Sequence, residues 1–296
     1  EASSLTGAAC AVTSRMQIAT AATNHNTRHP LITGSWATTM HRLSRGRFTL
    51  GIGRGIGAIY NSFGIPAVTT AQMEDFAQVM RRLWHGELIF NHDGPLGKYP
   101  ILFLDNDFRE DIRLAIVAFG PQTLALGGRE FEDVILHTYF TPETLQRAVK
   151  TVKDAAEQAG RDPASVRVWS CFATVGDHLP EELRLKKTVA RLATYLQGYG
   201  DLLVNTNGWD HAVLQRFRDD TVVQSIPGGI DHKANAEQIE HIATLIPDEW
   251  LEPSATGSAQ QCVDRVRKEF DYGADAVIMH GATPDELAPI VEAYRR

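Results

Sequence analysis

Gly51, Gly53, Gly55 and Gly57 stand at every second position, with Arg54 among them and the β-prone run Arg47–Ile52 directly before. Glycine weakens any strand or helix it interrupts, so this spacing serves something other than regular structure. A glycine loop at a strand end lets backbone N–H groups come close to an anion or a flat ring. Arg54 adds a guanidinium able to grip a phosphate or carboxylate through paired hydrogen bonds, with an ordinary surface arginine as the plain alternative. For the glycines the plain alternative is a tight turn without a ligand. Gly53 to Ala58 also matches the dinucleotide fingerprint G-x-G-x-x-A, with Glu74 and Asp75 about 20 residues on. The context fails, because the acidic residue should end a second strand and Glu74 falls inside a helical pattern.

Histidines are the other reactive candidates. His25 and His29 are four apart, a spacing that puts two metal ligands on one helix face. Pro30 and the polar turn around them break such a helix, and no glutamate base accompanies them. His25 reads as a pocket residue or a plain loop histidine, and His29, beside Pro30, as structural. His137 and His280 each follow an apolar strand. Either could act as acid or base, or be a satisfied histidine at a strand end. No Ser-His-Asp constellation, P-loop lysine motif or close carboxylate pair is visible.

The elements that must position these groups alternate between helix and strand. Six strands are expected, at 16–23, 47–52, 112–118, 132–137, 166–175 and 274–279. They are near-continuous apolar runs, the mark of a parallel sheet buried on both faces. Thr69 to His85 is an amphipathic helix with Met73, Phe76, Val79, Met80 and Leu83 on one face. Thr141-Pro142 opens another with a cap and a proline at its first position, and Ser258 with Gln261 forms a capping box. Ala2 to Ser14 suits a buried helix, Trp36 and Trp84 lie on helical stripes and read as core, and Glu181 to Arg191 reads as a solvated helix face. Residues 91–109 form an excursion, and residues 176–256 a mostly helical insertion. The whole, 1–296, reads as a single domain. An eight-stranded barrel needs two more strands than the six found, so the first strand–helix–strand unit is expected before residue 1.

Ligands of such barrels meet the C-terminal strand ends. Those ends here are Thr23-Asn24-His25, Gly53-Arg54-Gly55, Phe119-Gly120-Pro121, His137-Thr138 and His280-Gly281. A formal net charge of −7 over 296 residues argues against nucleic acid or an anionic membrane as partner. The three cysteines are far apart and suit a reducing cytoplasm. No signal peptide and no apolar run of membrane-span length is found.

The turn Thr27-Arg28-His29-Pro30, the run Ala37–Leu50 leading into Gly51–Gly55, the segment Ala118–Gly128 and the late stretch Ser254–Val266 resemble the bacterial luciferase-like flavin and deazaflavin oxidoreductases. The likeness covers nearly the whole chain and is nearest to the actinobacterial branch using the deazaflavin coenzyme F420. It implies an α/β (β/α)8 TIM barrel with a late insertion, the isoalloxazine ring lying across the C-terminal strand ends. It implies a non-proline cis peptide backing the ring, by position Ala21-Ala22, with Thr23 and Asn24 following. It sets Arg54 and Gly55 near the cofactor side chain, Ala118, Phe119, Gly120 and Pro121 at the other backbone contact, and Thr138 and Thr141 at the phosphate, with His137 also among the cofactor-binding residues. The family's acid/base residue would precede residue 1, leaving His25 as the visible candidate. The expected activity is hydride transfer between F420 and a small organic substrate. A flavin mononucleotide (FMN)-dependent monooxygenase and a non-catalytic flavin or phosphate-ligand binder are the alternatives. A homodimer is expected from the family.

Overall fold

The computed structural model describes residues 2–104 and 107–296. Its strands are β1 (Ile18–Ala19), β2 (Phe48–Ile52), β3 (Ile89–Gly94), β4 (Gly97–Leu102), β5 (Arg113–Val117), β6 (Asp133–Ile135), β7 (Arg167–Gly176), β8 (Ser254–Gly257) and β9 (Ala276–His280). The chain divides into two compact units, residues 1–135 with 150–167, and residues 136–149 with 168–296.

In the first unit β1, β2, β5 and β6 lie side by side, all parallel, with Leu50 opposite Leu114 and Ile116 opposite Val134. Every residue of β2 and of β6 is buried, which is why these strands lack the in–out alternation of a half-exposed sheet. The Thr70–Trp84 helix starts at a capping box between Thr69 and Gln72 and buries Met73, Phe76, Val79, Met80 and Leu83. Asp133, buried at the start of β6, accepts from Arg113 at 3.0 Å and from Arg167 at 2.8 Å. A carboxylate at that depth needs such pairing.

In the second unit β7 pairs in parallel with β8 through Ala173–Gly176 and with β9 through Trp169–Ala173. Phe172, Ala255, Cys262, Val263, Val266 and Ile290 form one buried cluster there. The Ala259–Asp271 helix begins at the capping box of Ser258 and Gln261, and the Pro284–Arg295 helix at one of Thr283 and Glu286.

Several expectations are corrected. The parallel strands described number seven, β8 being the addition. It is short, and Gly257 ends it, so it lacks the apolar run that marks the others. Residues 91–109 contain most of an antiparallel hairpin, β3 with β4; Asp105 and Asn106 fall outside the described residues. The first strand shrinks to Ile18–Ala19 plus a bridge from Thr23 to Ile52. The Ala2–Val12 helix buries only Thr6 and Cys10, while Leu5 and Val12 are exposed. Trp84 is buried but Trp36 is only half-buried. The charged run beginning at Glu181 is not all solvated: Lys187 pairs with Glu286 at 3.0 Å and Arg191 with Asp231 at 2.8 Å. Among the described residues no helix is long and apolar enough to cross a membrane.

Candidate active site

In the first unit the chain leaves β1 through Thr20, whose hydroxyl donates to the Gly51 carbonyl and accepts from the Gly51 N–H, both at 2.8 Å. The next peptide, Ala21–Ala22, is cis, as the resemblance implies, and both alanines are exposed. Thr23 then rejoins β2, its N–H on Gly51 O at 2.9 Å and its carbonyl accepting from Gly53 N at 3.1 Å. Asn24 ties the two loops together: its amide donates to Gly53 O at 2.9 Å, and its carbonyl accepts from the Tyr60 hydroxyl at 2.5 Å.

The glycines prove to serve chain-on-chain approach. A Cβ on Gly51 would lie 1.8 Å from Thr20 O, one on Gly53 3.0 Å from Ala22 Cβ, and one on Gly55 2.3 Å from the Tyr60 ring. Gly55 also needs its φ of +68°, a conformation that suits glycine. Gly120 is the opposite case, since a Cβ there would meet nothing within 4 Å. It precedes the Pro121–Glu130 helix, whose start has no side-chain cap. Ala118 just before it is fully buried, and Phe119 is half-buried. So the open space expected at the Gly51–Gly57 loop lies at Gly120.

Arg54 is spent inside the protein. Its guanidinium donates to Val68 O at 2.9 Å, to Thr123 Oγ1 at 3.0 Å, and to Thr70 Oγ1. It therefore fastens the glycine loop to the starts of two helices. His25 is 3% exposed and its ring lies 5.0 Å from that of Phe76. Its Nδ1 is buried without a partner, and burial drives its pKa down to about 4. It is a neutral imidazole at pH 7. His29 accepts from Leu31 N at 3.2 Å and caps the Pro30–Ser44 helix. Glu74 lies within the Thr70–Trp84 helix and pairs with Arg129 at 3.1 Å. Among the described residues no group of three or more His, Cys, Asp or Glu side chains could hold a metal.

In the second unit His137 lies just past the end of β6. Its Nδ1 is 3.1 Å from Thr138 O and its Nε2 is 2.7 Å from the Tyr199 hydroxyl. Burial, opposed by the Thr138 carbonyl, lowers its pKa to about 4. Thr138 is buried and directs its hydroxyl to Cys171 Sγ at 3.5 Å. Thr141 accepts from Thr144 N at 3.3 Å, so its side chain caps the Pro142–Gln158 helix. Tyr195 and Tyr199 stack at 5.6 Å, and His137 meets each edge-on at 4.7 and 4.9 Å. Sequence reasoning missed both tyrosines. Their i, i+4 spacing was the available signal, but it also fits a plain helical stripe.

A model of the luciferase-like monooxygenase family matches residues 1–276. The chain belongs to that family. Among luciferase-like relatives, the phthiodiolone/phenolphthiodiolone dimycocerosates ketoreductase of Mycobacterium tuberculosis is 31% identical over 272 residues, covering 90% of this chain and 70% of the relative. The 5,10-methylenetetrahydromethanopterin reductase of Methanolobus tindarius is 26% identical over 278 residues, covering 90% and 77%. The structure of the coenzyme F420-dependent tetrahydromethanopterin reductase of Methanopyrus kandleri superposes with a TM-score of 0.78 at 21% identity, over 98% of this chain and 84% of that one. The α/β fold of this chain is thus that of the luciferase-like barrel proteins.

Proposed function

We propose that this chain is an F420-dependent oxidoreductase that moves a hydride between the deazaflavin and a small organic substrate. The observation that carries the reading is its likeness, over 90% of its length, to relatives named as a ketoreductase and a methylenetetrahydromethanopterin reductase. A structural relative is F420-dependent by name.

The residues of the first unit fit such a group. The exposed Ala21–Ala22 pair carries only methyl side chains, so a flat ring can come close to its backbone. Gly120 leaves room where a side chain would stand, beside a helix start that lacks a side-chain cap. Ala21, Ala22, Thr23, Asn24, Gly55, Ala118, Phe119, Gly120 and Pro121 are the proposed contacts. Bound F420 would supply two-electron hydride chemistry at its C5. The protein's part is positional: Thr20 and Asn24 hold the loop through hydrogen bonds to Gly51 and Gly53, and Arg54 fixes the loop from behind. Neutral His25 keeps a buried nitrogen available for a polar group.

An FMN-dependent monooxygenase is the second reading, favoured by the name of the matching family. Parallel titrations with F420 and FMN test the two. Micromolar or tighter binding of F420, with weak FMN binding and no oxygen uptake on adding reduced FMN, is expected. Preference for FMN with oxygen uptake would overturn the proposal in favour of the monooxygenase.

A further inference from the structure

We propose that a cavity beside Glu269, in the second unit, binds an organic amine: the ammonium group meets the Glu269 carboxylate and the apolar body lies against aromatic rings. The inference does not draw on F420, whose proposed contacts all belong to the first unit.

The first observation is a contrast among buried acids. Asp133, Asp231 and Glu269 are 2%, 3% and 5% exposed. Asp133 is matched by Arg113 and Arg167, and Asp231 by Arg191 at 2.8 Å. Glu269 has no cation against it among the described residues. Its partner is the Ser170 hydroxyl, which donates to one carboxyl oxygen, brings no charge and leaves the second oxygen for a ligand. A carboxylate at that depth is costly until a cation faces it. Burial accordingly raises its pKa to about 7, so the free protein keeps a proton there that an arriving ammonium displaces.

The second observation is the space in front of it. Glu269 lines a cavity of about 540 Å³, within the size range of small-molecule sites. Every residue around that cavity belongs to the second unit. Phe140, Phe172, Trp209 and Tyr272 supply aromatic walls. Trp209 stacks on the buried Trp250 at 4.6 Å and 9°, which fixes its ring. Aromatic faces attract an ammonium group as well as the hydrocarbon attached to it.

The third observation is the sign of the charge. At the rim the exposed Glu143, Glu249 and Glu252 outnumber the exposed Arg265 and Lys268. Arg265 is partly committed, donating to Glu252 O at 2.8 Å. A carboxylate or phosphate entering the cavity would meet Glu269 itself, and like charges repel strongly away from bulk water. A metal ion does not fit either, since among the described residues no group of three or more His, Cys, Asp or Glu side chains is placed to hold one.

The test is calorimetric titration of the full protein at pH 8.0 with 2-phenylethylamine and 2-phenylethanol. The probes share a ring and a two-carbon arm, and only the amine is charged. The amine is expected to bind at least about tenfold more tightly than the alcohol, the scale of a hydrogen bond to a charged group. Glu269→Gln should weaken the amine by about 10- to 100-fold and leave the alcohol within about twofold. Trp209→Ala keeps the carboxylate and should weaken both probes together, and thermal melts check that both variants fold. Equal binding of the two probes, no detectable amine binding, or unchanged amine affinity in folded Glu269→Gln would each overturn the inference. F420 is titrated separately, so its failure to bind would sink the proposed reaction and leave the amine result standing.

Discussion

The carbonyl oxygen of Thr20 occupies the place where a side chain on Gly51 would begin, 1.8 Å from a Cβ built there. The same two residues exchange hydrogen bonds through the Thr20 hydroxyl, so the exit of β1 is clamped onto β2 at this point. Gly51→Ala must push the two chains apart. It should destabilise the protein by about 3 kcal/mol, lowering Tm by roughly 6–12 °C for a chain of this size class. A denaturation midpoint equal to wild type would show that the loops can part freely.

Gly120 is expected to behave in the opposite way. Its φ of −90° suits any residue and a Cβ would stand in open space. Gly120→Val should therefore change stability by less than about 1 kcal/mol, the usual scale for altering a cap position. If the space belongs to the cofactor, F420 affinity should drop at least about tenfold, equivalent to 1.4 kcal/mol. Unaltered F420 binding by the folded variant would remove Gly120 from the proposed contacts.

His25 should make stability depend on acid. Its pKa is about 4 in the folded chain against 6.5 for a free side chain. Between those values the unfolded chain takes up a proton that the native state refuses, so stability is lost as pH falls from 6.5 toward 4. The loss attributable to this residue is about 3 kcal/mol. His25→Gln should flatten the curve of unfolding free energy across that window by this amount. Parallel curves for the two proteins would mean that the imidazole is protonated without cost.

Glu269 acts with the opposite sign. It is 5% exposed, accepts a hydrogen bond from the Ser170 hydroxyl, and burial raises its pKa from 4.5 to about 7. The native state keeps a proton that the unfolded chain releases. Its contribution is whole below pH 4.5 and disappears as pH rises through about 7. Glu269→Gln should remove this dependence and gain about 3 kcal/mol on wild type between pH 4.5 and 8. Urea unfolding at the two pH values measures it, and an equal loss in both proteins would refute it.

Most of the parallel strands and the capped helices were legible from local pattern. The apolar faces at Met73, Phe76 and Met80, and the boxes at Ser258–Gln261 and Thr283–Glu286, depend on neighbours within a few residues. Strand β8 escaped because four residues with a glycine at the end carry too little pattern, and its place comes from pairing with β7. The exposed side of the Ala2–Val12 helix escaped for a related reason: composition shows apolarity, not what packs against it.

By itself, the sequence determined the α/β class, the likeness to the luciferase-like proteins, the cis position at Ala21–Ala22 and the strand ends carrying polar residues. The class and the polar strand ends are encoded in residue types at short spacing, whereas the cis position followed only from the family likeness. Only the tertiary structure decided which glycine leaves space and which merely lets two chains touch, because that depends on atoms far along the chain: Thr20 sits against Gly51, while nothing stands against Gly120. It also decided that Arg54 is consumed by Val68, Thr70 and Thr123, and that His137 belongs with Tyr199. A side chain's chemistry is written locally, but its partners and its hydration are set by long-range packing.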